Sequence, residues 1–99
     1  MAPRLELQQL LETFTDHVYF QPPENIQLEY PCIIYKRDYA ATRFADDNPY
    51  THIKRYMVTV IDRDPDSLIP DKVAQLPMSV FNRFYTADNL NHDVYNVFF

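Results

Sequence analysis

Ile53–Asp62, IKRYMVTVID, decides how this chain folds. In an extended chain Tyr56, Val58 and Val60 fall on one side, and Met57, Thr59 and Ile61 on the other. Val, Ile, Tyr and Thr suit a pleated, half-buried surface. The stretch therefore predicts the organising strand of a sheet. Arg63–Ser67, RDPDS, then leaves the sheet, with Asp66 or Ser67 placed to cap a following helix. Upstream, Cys32–Tyr39, CIIYKRDY, predicts an antiparallel partner: its first half is continuously apolar and its second half turns polar. Pro31 holds Tyr30 extended, so this strand begins at Cys32. The connection Ala40–His52 is long for a hairpin. It either carries the two strands outward or forms a projecting loop, with Asp46-Asp47-Asn48-Pro49 as its turn cluster.

Outward from this pair the elements are simpler. Pro3–Asp16 predicts a helix, because Leu7, Leu10, Leu11 and Phe14 recur at i, i+3, i+4 and i+7. His17–Phe20 predicts a brief strand or an extended exit, stopped by Pro22 and Pro23. Leu68–Leu76 predicts a short helix with Ile69, Val73 and Leu76 on its buried side. Ser79–Tyr85 and Asp93–Phe99 predict two more strands, joined by a turn over 86–91. The fold class expected is α+β. It comprises an antiparallel meander of about four strands, with the N-terminal helix and the second short helix packed on one face. The length, 99 residues, is that of one domain spanning 1–99 with a single core.

Composition removes several functions. Glycine is absent, which excludes the P-loop, the dinucleotide fingerprint and the glycine-rich kinase loop together. A net charge of −5 lacks the basic excess of a free-standing nucleic-acid binder. The single cysteine, Cys32, allows no intrachain disulfide and no cysteine-built zinc site. Flanked by Ile33 and Ile34, it reads as a small buried hydrophobe. No secretory leader is expected at the N-terminus, and no stretch approaches the apolar length of a membrane span. Eight Tyr and seven Phe are many for this length. They fit a surface buried against a partner, and equally the aromatic preference of strands.

Candidate chemical sites thin out on inspection. Asp62, Asp64 and Asp66 alternate like the start of a calcium loop, but Ser67 stands where that loop needs glycine and Val73 where it needs glutamate. The run reads better as a strand end and helix cap. His17, His52 and His92 show no metal-ligand spacing, and a hydrolase built on Asp62, Asp64 and His92 finds no support in spacing. No enzyme, cofactor or metal is expected. Lys36–Arg37, Lys54–Arg55, Arg43 and Arg83 form a basic stripe or pair with Asp38, Asp62 and other acids, within the subunit or across a subunit boundary. The candidate protein-contact residues are Arg43, Phe44 and Tyr50 in the long connection, with Lys54 and Arg55 at the entrance to the central strand.

Four stretches together resemble a known family: Tyr56–Ser67 (YMVTVIDRDPDS), Phe84–Phe99 (FYTADNLNHDVYNVFF), Val18–Pro23 (VYFQPP) and Tyr30–Tyr35 (YPCIIY). They are similar to the tail terminator proteins of long-tailed phages and prophages, also called tail completion or head–tail joining proteins. The resemblance implies a homohexameric ring that caps the tail tube, stops its growth and meets the head connector or neck proteins. It implies the major tail tube protein as a partner, a lumen that passes DNA without specific binding, and no membrane. It also implies assembly in the bacterial host cytoplasm and a place in the virion tail or neck. Other roles that fit are a head-completion or neck adaptor of the same module, and a small host-directed binding protein. Labelling within intact virions separates the first from a terminator, and absence from virions marks the second.

Overall fold

A computed structural model describes the backbone of residues 4–45 and 48–99 and the side chains of residues 4–38 and 54–99. The elements are α1 (Arg4–Glu12), β1 (Val18–Phe20), β2 (Cys32–Ala45), β3 (Asn48–Asp62), α2 (Ile69–Ala74), β4 (Ser79–Ala87) and β5 (Leu90–Phe98). They form one five-stranded sheet in the order β1-β2-β3-β5-β4.

The α+β class is as expected, but the sheet corrects two details. It has five strands rather than about four, and it is mixed, because β1 runs parallel to β2. Nor is it a simple meander. β5 inserts between β3 and β4, so the chain crosses over through α2, lays β4 at the far edge and returns. Burial explains that order. β5 contributes Val94, Tyr95 and Val97 to the interior, so it takes the place beside β3, while β4 contributes no buried residue.

The alternation read in β3 sets both faces of the sheet. Tyr56, Val58 and Val60 join Ile33, Tyr35, Tyr95 and Val97 in one core with Leu7, Leu11, Ile69 and Val73. The register puts Ile33 opposite Val60, Tyr35 opposite Val58, and Tyr56 opposite Val97, so these strand residues share a face. Both helices cover that face. Each Val, Leu or Ile fully buried there contributes about 1.5–3 kcal/mol over its exposed state. Leu76, Phe14, Val18, Phe20 and Phe99 extend the cluster at its margin.

Turns manage without glycine. Asp88 and Asn89 join β4 to β5 with φ of 54° and 63°, the left-handed pair that a two-residue hairpin turn requires. Asp and Asn are the residues that tolerate it best after glycine. Met78, just before β4, also has a positive φ of 62° with no such tolerance. Its carbonyl accepts the Phe98 N–H at 3.1 Å, which holds the start of β4 against the end of β5.

The connection over 40–52 proves to be mostly strand. β2 and β3 pair continuously from Cys32↔Ile61 to Ala45↔Asn48, with irregularities at Arg37/Tyr39 and Arg43/Phe44. β5 accompanies β3 only from Arg55 onward, and β1 accompanies β2 only over Ile33–Tyr35. The remainder is a two-stranded arm beyond the sheet, in a molecule 51 × 26 × 23 Å along its principal axes.

Candidate interaction surface

Three regions were expected to carry contacts or chemistry, and they fare differently. Arg43 and Phe44 lie on β2 and Tyr50 on β3, within the arm. Their side chains, like that of His52, lie outside the described residues. Arg55 is engaged within its own chain. Its Nε donates to Asp38 Oδ1 at 3.0 Å and its Nη2 to Asp38 Oδ2 at 3.3 Å. Asp38 is the residue skipped in the register between Arg37 and Tyr39, and this irregularity places its carboxylate beside Arg55. Lys54 is half-buried and lines a cavity with Arg4, Arg37 and Tyr56.

The acidic run is a self-supporting loop. Asp62 Oδ1 accepts the Asp64 N–H at 3.0 Å, and Asp64 Oδ1 accepts the Asp66 N–H at 2.9 Å. Asp66 or Ser67 was expected to cap α2, but the cap position is Leu68, which makes no side-chain cap hydrogen bond; Ser67 Oγ accepts the Ile69 N–H at 3.3 Å from one residue earlier. Asn91 donates to the Asp62 and Arg63 carbonyls at 3.2 and 3.3 Å, tying the loop to β5. Among the described residues no group of three or more His, Cys, Asp or Glu side chains is arranged to hold a metal ion. His92 stacks on Tyr85 with ring centroids 4.5 Å apart, and its Nδ1 lies 3.2 Å from the Leu90 carbonyl oxygen. His17 instead pairs with Glu29 at 3.4 Å.

Cys32 is wholly buried, and burial, aided by the Asp62 charge, pushes its thiol up to about 11. That environment suppresses the thiolate that a nucleophile needs. Tyr35 is buried beneath α1, where its hydroxyl donates to Gln8 and accepts from Arg4 Nη1 at 3.0 Å. Burial raises its pKa, and the hydrogen bond from Arg4 partly opposes the rise.

Among the described residues a cluster of exposed apolar side chains lies on β4, a strand that was not among the expected contact regions. Val80, Phe81, Phe84 and Tyr85 on β4 are 56%, 54%, 51% and 40% exposed. Phe81 and Phe84 sit opposite Tyr95 and Asp93 on the helix-bearing face, and Val80 and Tyr85 opposite Asn96 and His92 on the other. Among the described residues no strand lies beside the outer side of β4. The strand thus offers apolar side chains on both faces and a row of backbone donors and acceptors between them. Next to it, on the helix-free face, Ile34, Met57, Thr59 and Val94 floor a cavity of ≈ 340 Å³ rimmed by Lys36, Arg83, Tyr85 and His92. Sequence reading found β4 as a strand but not its exposure, because Val80, Phe81, Phe84 and Tyr85 look like core residues until the strand order is known.

No family model, curated protein or solved structure matches the chain. No helix among the described residues is long and apolar enough to cross a membrane. The geometry by itself defines an α+β domain with an uncovered sheet edge, a projecting arm and two separate charged regions.

Proposed function

We propose that this chain is a structural protein that works by associating with copies of itself. More narrowly, we propose it as a tail terminator of a long-tailed phage or prophage. In that role a homohexameric ring caps the tail tube, ends its polymerisation and presents a surface to the head connector, while DNA passes through the lumen unbound. It acts in the virion tail or neck after assembly in the host cytoplasm, without catalysis.

The observation that carries the reading is β4. A nine-residue edge strand with four open apolar side chains is a template for pairing with another chain, interrupted only by the register shift at Phe81/Arg83, and exposed apolar surface of this kind marks an interaction site. A contact that joins different patches on two copies buries every edge when it closes into a ring. The β2–β3 arm supports the same reading, since it extends past the sheet and can reach a neighbour. The net charge of −5 suits a channel that does not grip DNA. The choice of a phage tail over other ring assemblies comes from the four family-like stretches.

Light scattering and negative-stain imaging of the purified protein, alone and with tail tubes, test it. The expected result is a closed ring, either free in solution or formed on tube ends. Protein that stays monomeric at high concentration, with and without tubes, overturns the reading.

A further inference from the structure

A second cavity, ≈ 350 Å³, opens on the helix-bearing face where α1 begins and the arm leaves the sheet. Arg4, Phe20, Gln21, Arg37, Lys54 and Tyr56 line it. Among the described residues of its lining three are cations and none is an acid, in a chain whose net charge is −5. The register brings them together. Arg37 is opposite Tyr56, Lys54 precedes Tyr56 by two residues, and Phe20 is opposite Tyr35, two residues before Arg37. Arg4 is held in place, with its guanidinium 4.3 Å over the Phe20 ring and a hydrogen bond to Tyr35. Among the described residues Arg37 and Lys54 make no ion pair, because Asp38 is taken by Arg55. Three cations gathered with no counter-charge among the described residues repel one another, and an anion placed among them removes that cost.

The acidic loop lies at the other end of the same strand. Residues 63–66 are exposed, and Asp62 and Asp64 each use one carboxylate oxygen to set the loop's shape. The one cation in the run, Arg63, lies 5.7 Å over the Tyr30 ring. The loop therefore presents a pre-shaped group of carboxylates. Eight residues of extended chain, roughly 26 Å, separate Lys54 from Asp62, so a copy cannot fill its cavity with its own loop.

We infer that the basic cavity is the docking site for the Asp62–Asp66 loop of a second copy. Site and loop sit at opposite ends of β3, so each copy takes one loop and gives another. Such a contact either closes reciprocally as a two-fold pair or runs head-to-tail into a ring or an open chain, and the ring proposed above takes the head-to-tail form. The inference rests on the self-association proposed above and names its polar contact, leaving β4 to supply apolar area.

Charge reversal tests it. Arg37→Glu/Lys54→Glu and Asp64→Lys/Asp66→Lys, each alone, are expected to weaken association at least about tenfold in sedimentation velocity, alone or on tail tubes. An equimolar mixture of the two is expected to assemble again, because each reversed site then meets a loop of opposite charge. Circular dichroism checks that each variant is folded. Should the first variant unfold, Arg37→Gln/Lys54→Gln replaces it, with a smaller loss of association and a flatter salt dependence expected. Native protein that assembles while either variant assembles equally well overturns this inference and leaves the ring reading standing. So does a mixture of folded variants that fails to assemble. Native protein that never associates, even with tubes, removes both.

Discussion

β4 and β5 are two halves of one hairpin, nine residues each, and both carry aromatic and β-branched residues. Yet β5 buries Val94, Tyr95 and Val97, while every residue of β4 after Ser79 is exposed. Composition does not distinguish them. Position does: β5 has a strand on each side and helices over one face, and β4 has a neighbour on one side only. Apolar residues at the exposed position are the basis of the self-association proposed above, whereas the same residues at the inner position are core.

Substitutions can break this contrast in graded ways. The largest effect is expected from Val97→Asp, which puts an unpaired charge at a fully buried site; a loss above about 3 kcal/mol follows, read as a lower urea midpoint or failure to fold. On the partner strand, Val80→Lys with Phe84→Lys is expected to cost under about 1 kcal/mol, because both sites are half exposed and Phe84 faces Asp93. The same pair is expected to abolish assembly in light scattering. Equal destabilisation by the two changes means that β4 belongs to the core after all. Met78→Gly, at the entry to β4, is expected to stabilise by about 0.5–1 kcal/mol, since glycine accepts its positive φ without steric cost. A lower urea midpoint, the entropic cost of glycine in the unfolded chain left uncompensated, shows that the backbone there carries no strain.

The smallest effect concerns Asp93, on β5 opposite Phe84. Burial, and secondarily the Asp71 charge, raise its pKa above the ordinary carboxylate value. A carboxyl raised in the folded state favours folding while protonated, and loses that advantage as pH climbs through its folded pKa. Asp93→Asn is therefore expected to raise the melting temperature at pH 7, with the gain vanishing below about pH 3.8, the ordinary value. A gain that persists at pH 3 assigns the effect to packing rather than ionisation. A covering partner on β4 is expected to deepen the shift, since it removes more water from Asp93.

Much of the framework was legible from short-range pattern. The alternation in Ile53–Asp62 predicted which side chains face the helices, and the helical spacing of Leu7, Leu11, Ile69 and Val73 predicted the buried stripes. Ser67 was readable as a residue at the helix entry, but Leu68 holds the cap position without a side-chain hydrogen bond, and Ser67 Oγ reaches only the Ile69 N–H. Of the contact residues named from sequence, Arg55 is turned inward onto Asp38, and Lys54 lines a cavity whose other cations, Arg4 and Arg37, lie 50 and 17 positions away. Only cross-strand register brings such residues to one place.

That division has one physical cause. Periodicity, proline placement and cap chemistry act over a few residues, so the sequence by itself determined the elements, their buried sides and the absence of phosphate-loop and cysteine-metal motifs. Strand order depends on which strands bury the most surface when they meet, a non-local comparison that no window of sequence contains. Tertiary structure alone therefore decided that β1 pairs in parallel, that β5 displaces β4 to the edge, and that Arg4, Arg37 and Lys54 share one cavity at the other end of the central strand from the acidic loop.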